Sequence, residues 1–374
     1  MLSFWEKTEL LEYDLVVVGG GITGMFCALS FRKSNPNARI AVLERGMFSS
    51  GASTKNAGFA CFGSLTEFIE DLEHLNESAL FDIVKLRLEG LKLLEETLGT
   101  KVIDLQWNGG YELFFEQHPT AFEKIEAINT LLNPIFNKPV FTFQNSKIKT
   151  FGLNPDKVKH LIENPFEGQL NTGKLMQALR SKINREKIDF FSNSELVHFE
   201  SSQDQKIYFS FKNQTINLIS KKLAICNNAF ATQLYPDIDI TPGRGMVVAT
   251  KPIENLKLKG TFHYDQGYYY FRNFNQRILF GGGRNLDLKK EATHEFGINE
   301  KIKAQLLEDL QSFILLDQEV EIDTEWSGIM AFGKNKMPII EKRGDQIALG
   351  IRLGGMGVAI GSRVGKAVAE LLIK

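Results

Sequence analysis

Cysteine is scarce in this sequence, and its three residues, Cys27, Cys61 and Cys226, lie far apart with no CxxC pair. That argues against a disulfide framework and fits a chain kept reduced in the cytoplasm. The six histidines show no HExxH or comparable ligand spacing, so no metal centre is expected. No apolar run approaches the roughly 20 residues that a transmembrane helix needs. Met1–Glu12 carries Glu6, Glu9 and Glu12 where a signal segment would be apolar. Excess charge of either sign is also missing. Forty-four basic and 45 acidic residues leave a formal net charge of -1, which gives no electrostatic footprint for nucleic acid or an anionic membrane. Internal repeats and low-complexity tracts do not occur.

What is present is an ordinary globular composition, 43% hydrophobic, with phenylalanine unusually frequent at 29 residues. A length of 374 exceeds one typical core and predicts two domains. The most informative stretch is Tyr13–Arg45. The apolar run Leu15–Val18 reads as a buried parallel strand and enters Gly19-x-Gly21-x-x-Gly24. A helix-compatible segment with Phe26, Ala28, Leu29 and Phe31 follows, then a second strand, Ile40–Leu43, ending on Glu44. Gly19 permits the tight turn, Gly21 lets the backbone approach a pyrophosphate, and Gly24 lets helix and strand pack closely. N–H groups at the helix start face the phosphates, and Glu44 is placed to accept from ribose hydroxyls. The motif specifies a bound dinucleotide without saying whether it is FAD or NAD.

Further along, Phe48–Ser64 is rich in small residues and contains ASTKNAG, which suits backbone laid against a flat ligand. Helical periodicity over Leu65–Leu98 predicts two helices broken near Leu75–Glu77, and Phe122–Leu132 predicts another. Strands are expected at Val102–Trp107 and Tyr111–Phe115, with a turn-rich Asn133–Pro139. Gly168–Glu186 reads as a helix and Ile188–Phe191 as the strand behind it. Lys206–Phe211 and Gln214–Leu218 read as a hairpin. Leu223–Ile225 is a short strand entering CNNAF, Cys226–Phe230. After Thr241–Gly245 the chain becomes β-rich, with strands at Met246–Thr250, Thr261–Tyr264, Gly267–Arg272 and Arg277–Gly281. A helix is expected at Asn299–Leu315, and the end carries Gly354-Gly355-Met356-Gly357 before a final helix.

In their order and spacing these pieces resemble the D-amino-acid-oxidase-like family of FAD-dependent oxidoreductases. The carriers are GGGITG with Glu44-Arg45, ASTKNAG, CNNAF, PGRG (Pro242–Gly245), LFGGGR (Leu279–Arg284), WSGIMAF with Met337-Pro338, and GGMGVAIG. The resemblance implies an α/β fold. A discontinuous Rossmann-like FAD-binding domain (1–75, 150–235 and 325–374) would carry an α+β substrate domain with a large antiparallel or mixed sheet (76–149 and 236–324). It further implies that Gly19, Gly21, Ile22, Thr23 and Gly24 hold the pyrophosphate, with Glu44 on the ribose and Arg45 near the adenine. Ala52, Ser53, Asn56, Ala57, Gly58 and Phe59 would line the pyrophosphate, ribityl chain and flavin. Val197 would touch adenine, and Asn227 and Asn228 would lie near the nucleotide. Gly354, Gly355, Met356, Gly357 and Val358 would present N–H groups to the flavin, where a helix N-terminus stabilises the anion formed on reduction.

The implied activity is oxidation of a C–N bond in a small amine or amino acid, by hydride transfer to flavin N5 and hydrolysis of the resulting imine. Alternatives are an FAD enzyme acting on a hydroxy acid or polyol, and a non-catalytic flavin-binding subunit. The sequence lacks the Cys or His that tethers FAD in some members, so non-covalent FAD is expected. Met330 stands where glycine oxidase has a carboxylate-binding Arg, and Leu279 roughly where sarcosine-oxidase-like members have an oxygen-activating Lys. The electron acceptor is therefore either O2 or an unidentified carrier. Strand alternation groups Tyr268, Tyr270 and Arg272 on one face, which could supply aromatic walls and a guanidinium. Tyr264 and Arg352 are further substrate-side candidates, and Arg244 is read as serving the domain junction or the cofactor.

Overall fold

Apolar, β-branched runs at Glu12–Val18, Ile40–Leu43, Ile219–Ile225 and Ile347–Ile351 are largely buried and pair in parallel, as strands covered on both faces do. They belong to a computed structural model that describes residues 2–213, 217–316 and 320–373. Asp189–Phe191 extends the parallel set beyond Ile40–Leu43, and Ile339–Lys342 closes the opposite edge antiparallel to Ile347–Ile351. Two antiparallel strands, Ile207–Phe211 and Leu196–Ser201, branch from Ile219–Ile225. Val18 pairs with both Leu43 and Ile225, and Ile225 with Leu349, so these strands end level. Ligands of open α/β sheets lie at such a carboxyl edge. The segments leaving it are those at Gly19, Glu44, Cys226 and Arg352.

Ile22–Ser34, Glu77–Leu98 and Gly357–Ile373 cover one face of this sheet in a shared apolar core. Glycine sets how closely the first and last of them approach. A Cβ on Gly365 would overlap the carbonyl oxygen of Thr23, and one on Gly361 would stand 3.0 Å from Ile22 Cγ2. The predicted break in Leu65–Leu98 is made by caps. Ser64 and Glu67 form a capping box at the start of Leu65–His74, and the Asn76 side chain accepts from Ala79 N–H to open Glu77–Leu98.

The second sheet runs in the order Ile322–Phe332, Thr241–Thr250, Arg277–Gly282, Tyr269–Phe274, Thr261–Tyr264, Gly110–Phe114, His160–Asn164, Thr142–Phe143. All its pairings are antiparallel except that of Gly110–Phe114 with Thr261–Tyr264. Its alternation sends Phe262, Tyr264, Tyr269, Phe271 and Phe280 to one face, where they pack with Leu306, Leu310 and Phe313. Phe262 stacks on Phe271 at 4.8 Å and Tyr264 on Tyr269 at 4.6 Å. His160–Asn164 and the 325–332 part of Ile322–Phe332 come from stretches that the sequence grouped with the nucleotide-binding part.

Several local expectations need correction. Val102–Trp107 is not a strand, because positive φ at Gly99 (85°) and Asp104 (52°) coil the chain; only Gln106 makes an isolated bridge, to Gln169. Asn133–Pro139 is not mainly turn. The helix Pro119–Phe136 runs through Pro134 and stops where Asn137 takes a left-handed φ of 53°. The helix expected from Gly168 begins at Thr172, capped by Asn171, after a two-residue strand at Gly168–Gln169. Gln214–Leu218 lies partly outside the described residues; Ile207–Phe211 pairs with Ile219–Ile225 and Leu196–Ser201. No described helix is long and apolar enough to cross a membrane.

Candidate active site

The glycine turn is built as its sequence demands. Gly19 has φ 112°, and a Cβ there would stand 2.6 Å from the carbonyl oxygen of Cys226. Gly21 caps Ile22–Ser34, and a Cβ on Gly24 would overlap the Gly19 carbonyl oxygen. A Cβ on Gly21 would stand 2.7 Å from Ser53 Oγ. Ser53 Oγ also accepts from Ile22 N–H at 3.0 Å, so the short 3-10 turn Ala52–Thr54 sits at the helix start.

Glu44, 5% exposed, organises this edge. Its Oε2 accepts from Gly20 N–H (3.2 Å), while Oε1 accepts from Gly46 N–H (2.9 Å) and from Ser50 N–H and Oγ–H (3.2 and 2.8 Å). One acceptor position on Oε2 is still open for a hydroxyl. Arg45 lays its guanidinium over Phe230 at 3.5 Å, and burial lowers its pKa. Ser194 N–H donates to the Glu44 carbonyl at 2.8 Å, which brings Val197, 48% exposed three residues on, to the same end.

From the next strand, Asn227 brings a buried Oδ1 that has no partner among the described residues. It lies beside Gly19, whose Cβ position is 3.0 Å from Asn227 N. Asn228 turns to the C-terminal glycines, its Oδ1 accepting from the N–H groups of Arg352 (3.0 Å) and Leu353 (3.2 Å). Gly354 and Gly355 take φ of 54° and 81° and swing the chain into Gly357–Ile373. In that helix's first turn, the N–H groups of Gly357 and Val358 have no intrahelical acceptor.

The open face of the second sheet completes the site. Thr261, His263, Tyr270, Arg272, Gly281, Gly245, Trp326, Gly328 and Met330 all lie on it by register. The ASTKNAG loop crosses this face. Trp326 Nε1–H donates to Lys55 O at 2.9 Å, and Phe59 meets His263 and Tyr270 edge-on at 5.2 and 5.5 Å. Asn56 closes the loop on itself, accepting from Gly58 N–H (2.8 Å) and Thr172 Oγ–H (2.9 Å), while Ala57 is buried. Met330 reaches toward Gly355, its sulfur 3.6 Å from that residue's Cβ position.

Among the substrate-side candidates the structure brings Tyr270 and Arg272 to this face. Burial pushes the Tyr270 hydroxyl up to about 12. Arg272 is 2% exposed; burial pulls its guanidinium down to about 10, and Nη1 donates to Gly58 O at 3.3 Å. It holds the loop, where the sequence suggested a substrate carboxylate. Tyr268 lies in the turn before the strand, because Asp265, Gln266 and Gly267 all have positive φ. Tyr264 is on the opposite face, its hydroxyl donating to Asp309 Oδ2 at 2.5 Å. Arg352 is committed to Asp239, to Asn335 Oδ1 (2.9 Å) and to Met337 O (3.0 Å). Neither Tyr264 nor Arg352 is placed to meet a ligand on the open face.

Sequence reasoning did not find the buried cluster next to this face. His263 Nε2 lies 3.6 Å from Glu167 Oε2, and Glu167 Oε1 accepts from Phe62 and Gly63 N–H at 3.0 and 3.2 Å. Glu112, cross-strand from His263, accepts from Ser64 Oγ–H (3.1 Å), Thr66 N–H (3.2 Å) and Thr66 Oγ–H. Burial pushes Glu112 up to about 7. Burial works against a charged His263, but Glu167 outweighs it and raises that pKa. Period-two alternation from Tyr264 could have flagged His263; Glu112 and Glu167 meet it only through long-range pairing.

Both shifts give the same sign. Groups with folded pKa values above their unfolded ones contribute stability at low pH that is lost as pH rises. Stability at this cluster therefore declines between about pH 4.5 and 7 for Glu112, by about 3 kcal/mol. The urea midpoint is expected to fall from pH 5 to pH 8, and Glu112→Gln to flatten that fall. An equally steep fall in Glu112→Gln would refute the assignment.

Comparison with known proteins bears on the family and the fold. The family profile described as "DAO: FAD dependent oxidoreductase" matches residues 14–371. The chain is similar to the "Probable oxidoreductase OrdL" of Haemophilus influenzae, 21% identical over 397 aligned positions that cover 99% of this chain and 85% of the relative. Among solved structures it resembles L-proline dehydrogenase from P. horikoshii (TM-score 0.77, 16% identity, 97% and 93% of the two chains). Glycine oxidase from Geobacillus kaustophilus is similar too (TM-score 0.77, 19% identity, 97% and 95%). A glycine turn ending level with three neighbouring strands, matched across almost the whole chain, places this protein in the DAO family of FAD-dependent oxidoreductases.

Proposed function

We propose that the chain oxidises a C–N bond of a small amine or amino acid, with non-covalently bound FAD. The observation that carries this reading is the pairing of two surfaces. The Gly354–Val358 turn and helix start face the same Met330 that lies on an open sheet face lined by Tyr270, Trp326 and glycines. That face supplies aromatic walls and small residues. Glycine oxidase, L-proline dehydrogenase and iminodiacetate oxidase share the fold, and their names point to amino-acid and amine chemistry in those proteins.

The residues present fit the cofactor. Gly19, Gly21, Ile22, Thr23 and Gly24 would take the pyrophosphate, where side chains on the glycines would obstruct it. Asn227, with its unpartnered buried Oδ1, would meet the nucleotide. Glu44 would accept from the ribose through its open Oε2 position, with Arg45 and Val197 toward the adenine. Ala52–Phe59 would back the ribityl chain and flavin, and Asn228 would hold Gly354–Gly357 in place. When bound, FAD supplies the acceptor for a hydride from the C–H beside nitrogen. The N–H groups of Gly357 and Val358 would stabilise negative charge on its pyrimidine side. Phe59, Tyr270 and Trp326 would exclude water and so favour the neutral form of the substrate nitrogen, whose lone pair assists the transfer.

The test is anaerobic mixing of the flavin-loaded protein with amines, amino acids and hydroxy acids while flavin absorbance is followed. Bleaching by an amine or amino acid is expected. Bleaching by hydroxy acids alone would replace the reading with alcohol oxidation, the activity named for a glycerophosphate oxidase of the same fold. The reaction repeated in air, with peroxide assayed, decides between O2 and another carrier as acceptor.

A further inference from the structure

The amino edge of the first sheet, at the other end of the strands from the glycine turn, holds two features that the cofactor reading leaves unused. One is a groove of about 1190 Å³ among the helices Ile22–Ser34, Glu77–Leu98, Thr172–Arg185 and Gly357–Ile373. Ile40 and Asp189, the first residues of their strands, lie at its edge. It exceeds the roughly 300–1000 Å³ of a small-molecule pocket and suits a segment of chain. Leu29, Leu93, Ala369 and Ile373 give it an apolar lining, which they share with seven basic and three acidic side chains. The acids are already engaged. Glu186 and Glu370 pair with Lys182 and Lys366 at 3.7 and 3.9 Å, and Asp189 accepts from the Tyr13 hydroxyl at 3.0 Å. Lys33, Arg185 and Lys187 form no ion pair among the described residues, and Arg32 Nε is buried there with no hydrogen-bond partner. Cations in a last helical turn offset the helix dipole, which accounts for Arg32, Lys33 and Arg185. It does not account for Lys187, which stands beyond the helix at φ 53°, or for the apolar lining.

The other feature is the helix Phe4–Glu9, none of whose residues is buried. Phe4 and Trp5, 69% and 72% exposed, meet edge to face at 5.4 Å, and Leu10 is 49% exposed. Three large apolar side chains on so short a segment are left largely unpacked, which marks an interaction site. Two bonds hold the segment in place. Ile219 N–H donates to Leu11 O at 2.8 Å, and Arg39 Nη2–H, from the groove's lining, donates to Glu9 O. The helix therefore stands at the rim of the groove, carrying Glu6 and Glu9 in the same short run as its rings. Aromatic rings accompanied by carboxylates complement an apolar lining accompanied by unpaired cations.

We propose that this edge is a self-association surface, on which the Phe4–Glu9 helix of one copy seats Phe4 and Trp5 in the groove of a second copy, and the second copy returns the contact. Because helix and groove adjoin on one molecule, a single two-fold axis satisfies both and closes the assembly at a dimer. The surface lies at the opposite end of the strands from the Gly19–Gly24 turn, so the proposal stands or falls independently of the C–N oxidation reading.

Sedimentation velocity of the full chain over a concentration series is the test. The wild type is expected to be a dimer at micromolar concentration and to dissociate on dilution. Phe4→Ser with Trp5→Ser should raise the dimer Kd at least about tenfold, since buried aromatic anchors carry most of an interface's energy. Lys33→Glu with Lys187→Glu, two exposed positions, should weaken the dimer as well. Thermal melting of the diluted proteins, expected to be unchanged in both variants, separates lost association from lost folding. A wild type that is monomeric at about 100 µM would overturn the inference. A dimer whose Kd is unmoved by either pair of substitutions would overturn it too, because the rings or the groove would then lie outside the contact. Assemblies that keep growing with concentration would overturn the reciprocal arrangement.

Discussion

Gly21→Val is expected to fold and to emerge colourless, retaining no FAD after reconstitution. Gly21 is the cap residue of Ile22–Ser34, with extended φ and ψ of -88° and -173° that valine can adopt, so the substitution carries no backbone strain. The nearest atom to its Cβ position is Ser53 Oγ at 2.7 Å, the end of a small side chain that can turn aside. Two branched methyls beyond that Cβ would crowd the helix start, where the proposed pyrophosphate would lie. Gly24→Ala is the contrasting case, because its Cβ would meet the backbone oxygen of Gly19 and the strand–helix turn itself would have to move. Thermal unfolding together with flavin absorbance separates the two. Gly21→Val should melt near the apo wild type and lack flavin, whereas Gly24→Ala should lose stability as well. Normal FAD content in Gly21→Val would show that the pyrophosphate lies elsewhere.

The largest stability effect is expected from Glu291→Ala. Glu291 is 1% exposed and accepts from Arg244 Nε–H and Nη2–H at 2.7 and 2.9 Å and from Asn299 Nδ2–H at 2.7 Å. Arg244 is 8% exposed, so truncating its partner strands a guanidinium in low dielectric. Breaking a buried pair in this way costs about 3–5 kcal/mol, and in a chain of this length that lowers Tm by about 4–6 °C. Replacing both partners, as Arg244→Met with Glu291→Leu, should recover much of the loss, because no charge is then left unpaired. Burial alone would raise the Glu291 carboxyl, but the bonds from Arg244 and Asn299 outweigh it and hold its pKa below the usual range. The pair's contribution is thus present at neutral pH and lost as pH falls through the acid range. A Glu291→Ala protein melting within about 1 °C of wild type would contradict the argument. The sequence pointed Arg244 to the domain junction or the cofactor; its visible task is this pair.

The parts of the molecule that were legible beforehand are those whose constraint is local. Gly19, Gly21 and Gly24 announce a strand–turn–helix by themselves, and the apolar periodicity of Leu65–Leu98 announces two helices broken near Leu75–Glu77. Tyr270 and Arg272 could be put on one face because strand alternation depends only on counting. The misplacements share a different origin. Tyr264 is a substrate-side candidate in the sequence, yet its place follows from pairing with Tyr269 and from a hydrogen bond to Asp309, 45 residues away. Arg352 sits beside Gly354 and Gly355 in sequence, but a left-handed φ of 62° turns it toward Asp239. Val102–Trp107 has strand-like composition and is coiled by neighbours with positive φ. Glu112, His263 and Glu167 are assembled from three separated segments, and nothing in any one of them specifies the other two.

The central claim is that one FAD molecule bridges the two ends of the chain, phosphates on the Gly19–Gly24 turn and flavin between Gly355–Val358 and the open sheet face. A crystal structure of the FAD-loaded protein tests it most directly. The expected result is a pyrophosphate at the start of Ile22–Ser34, beside Gly21 and Ser53 Oγ, and the flavin ring beside Gly357 and Met330. A flavin lying away from Gly355–Val358, or a pyrophosphate off the Gly19–Gly24 turn, would contradict it.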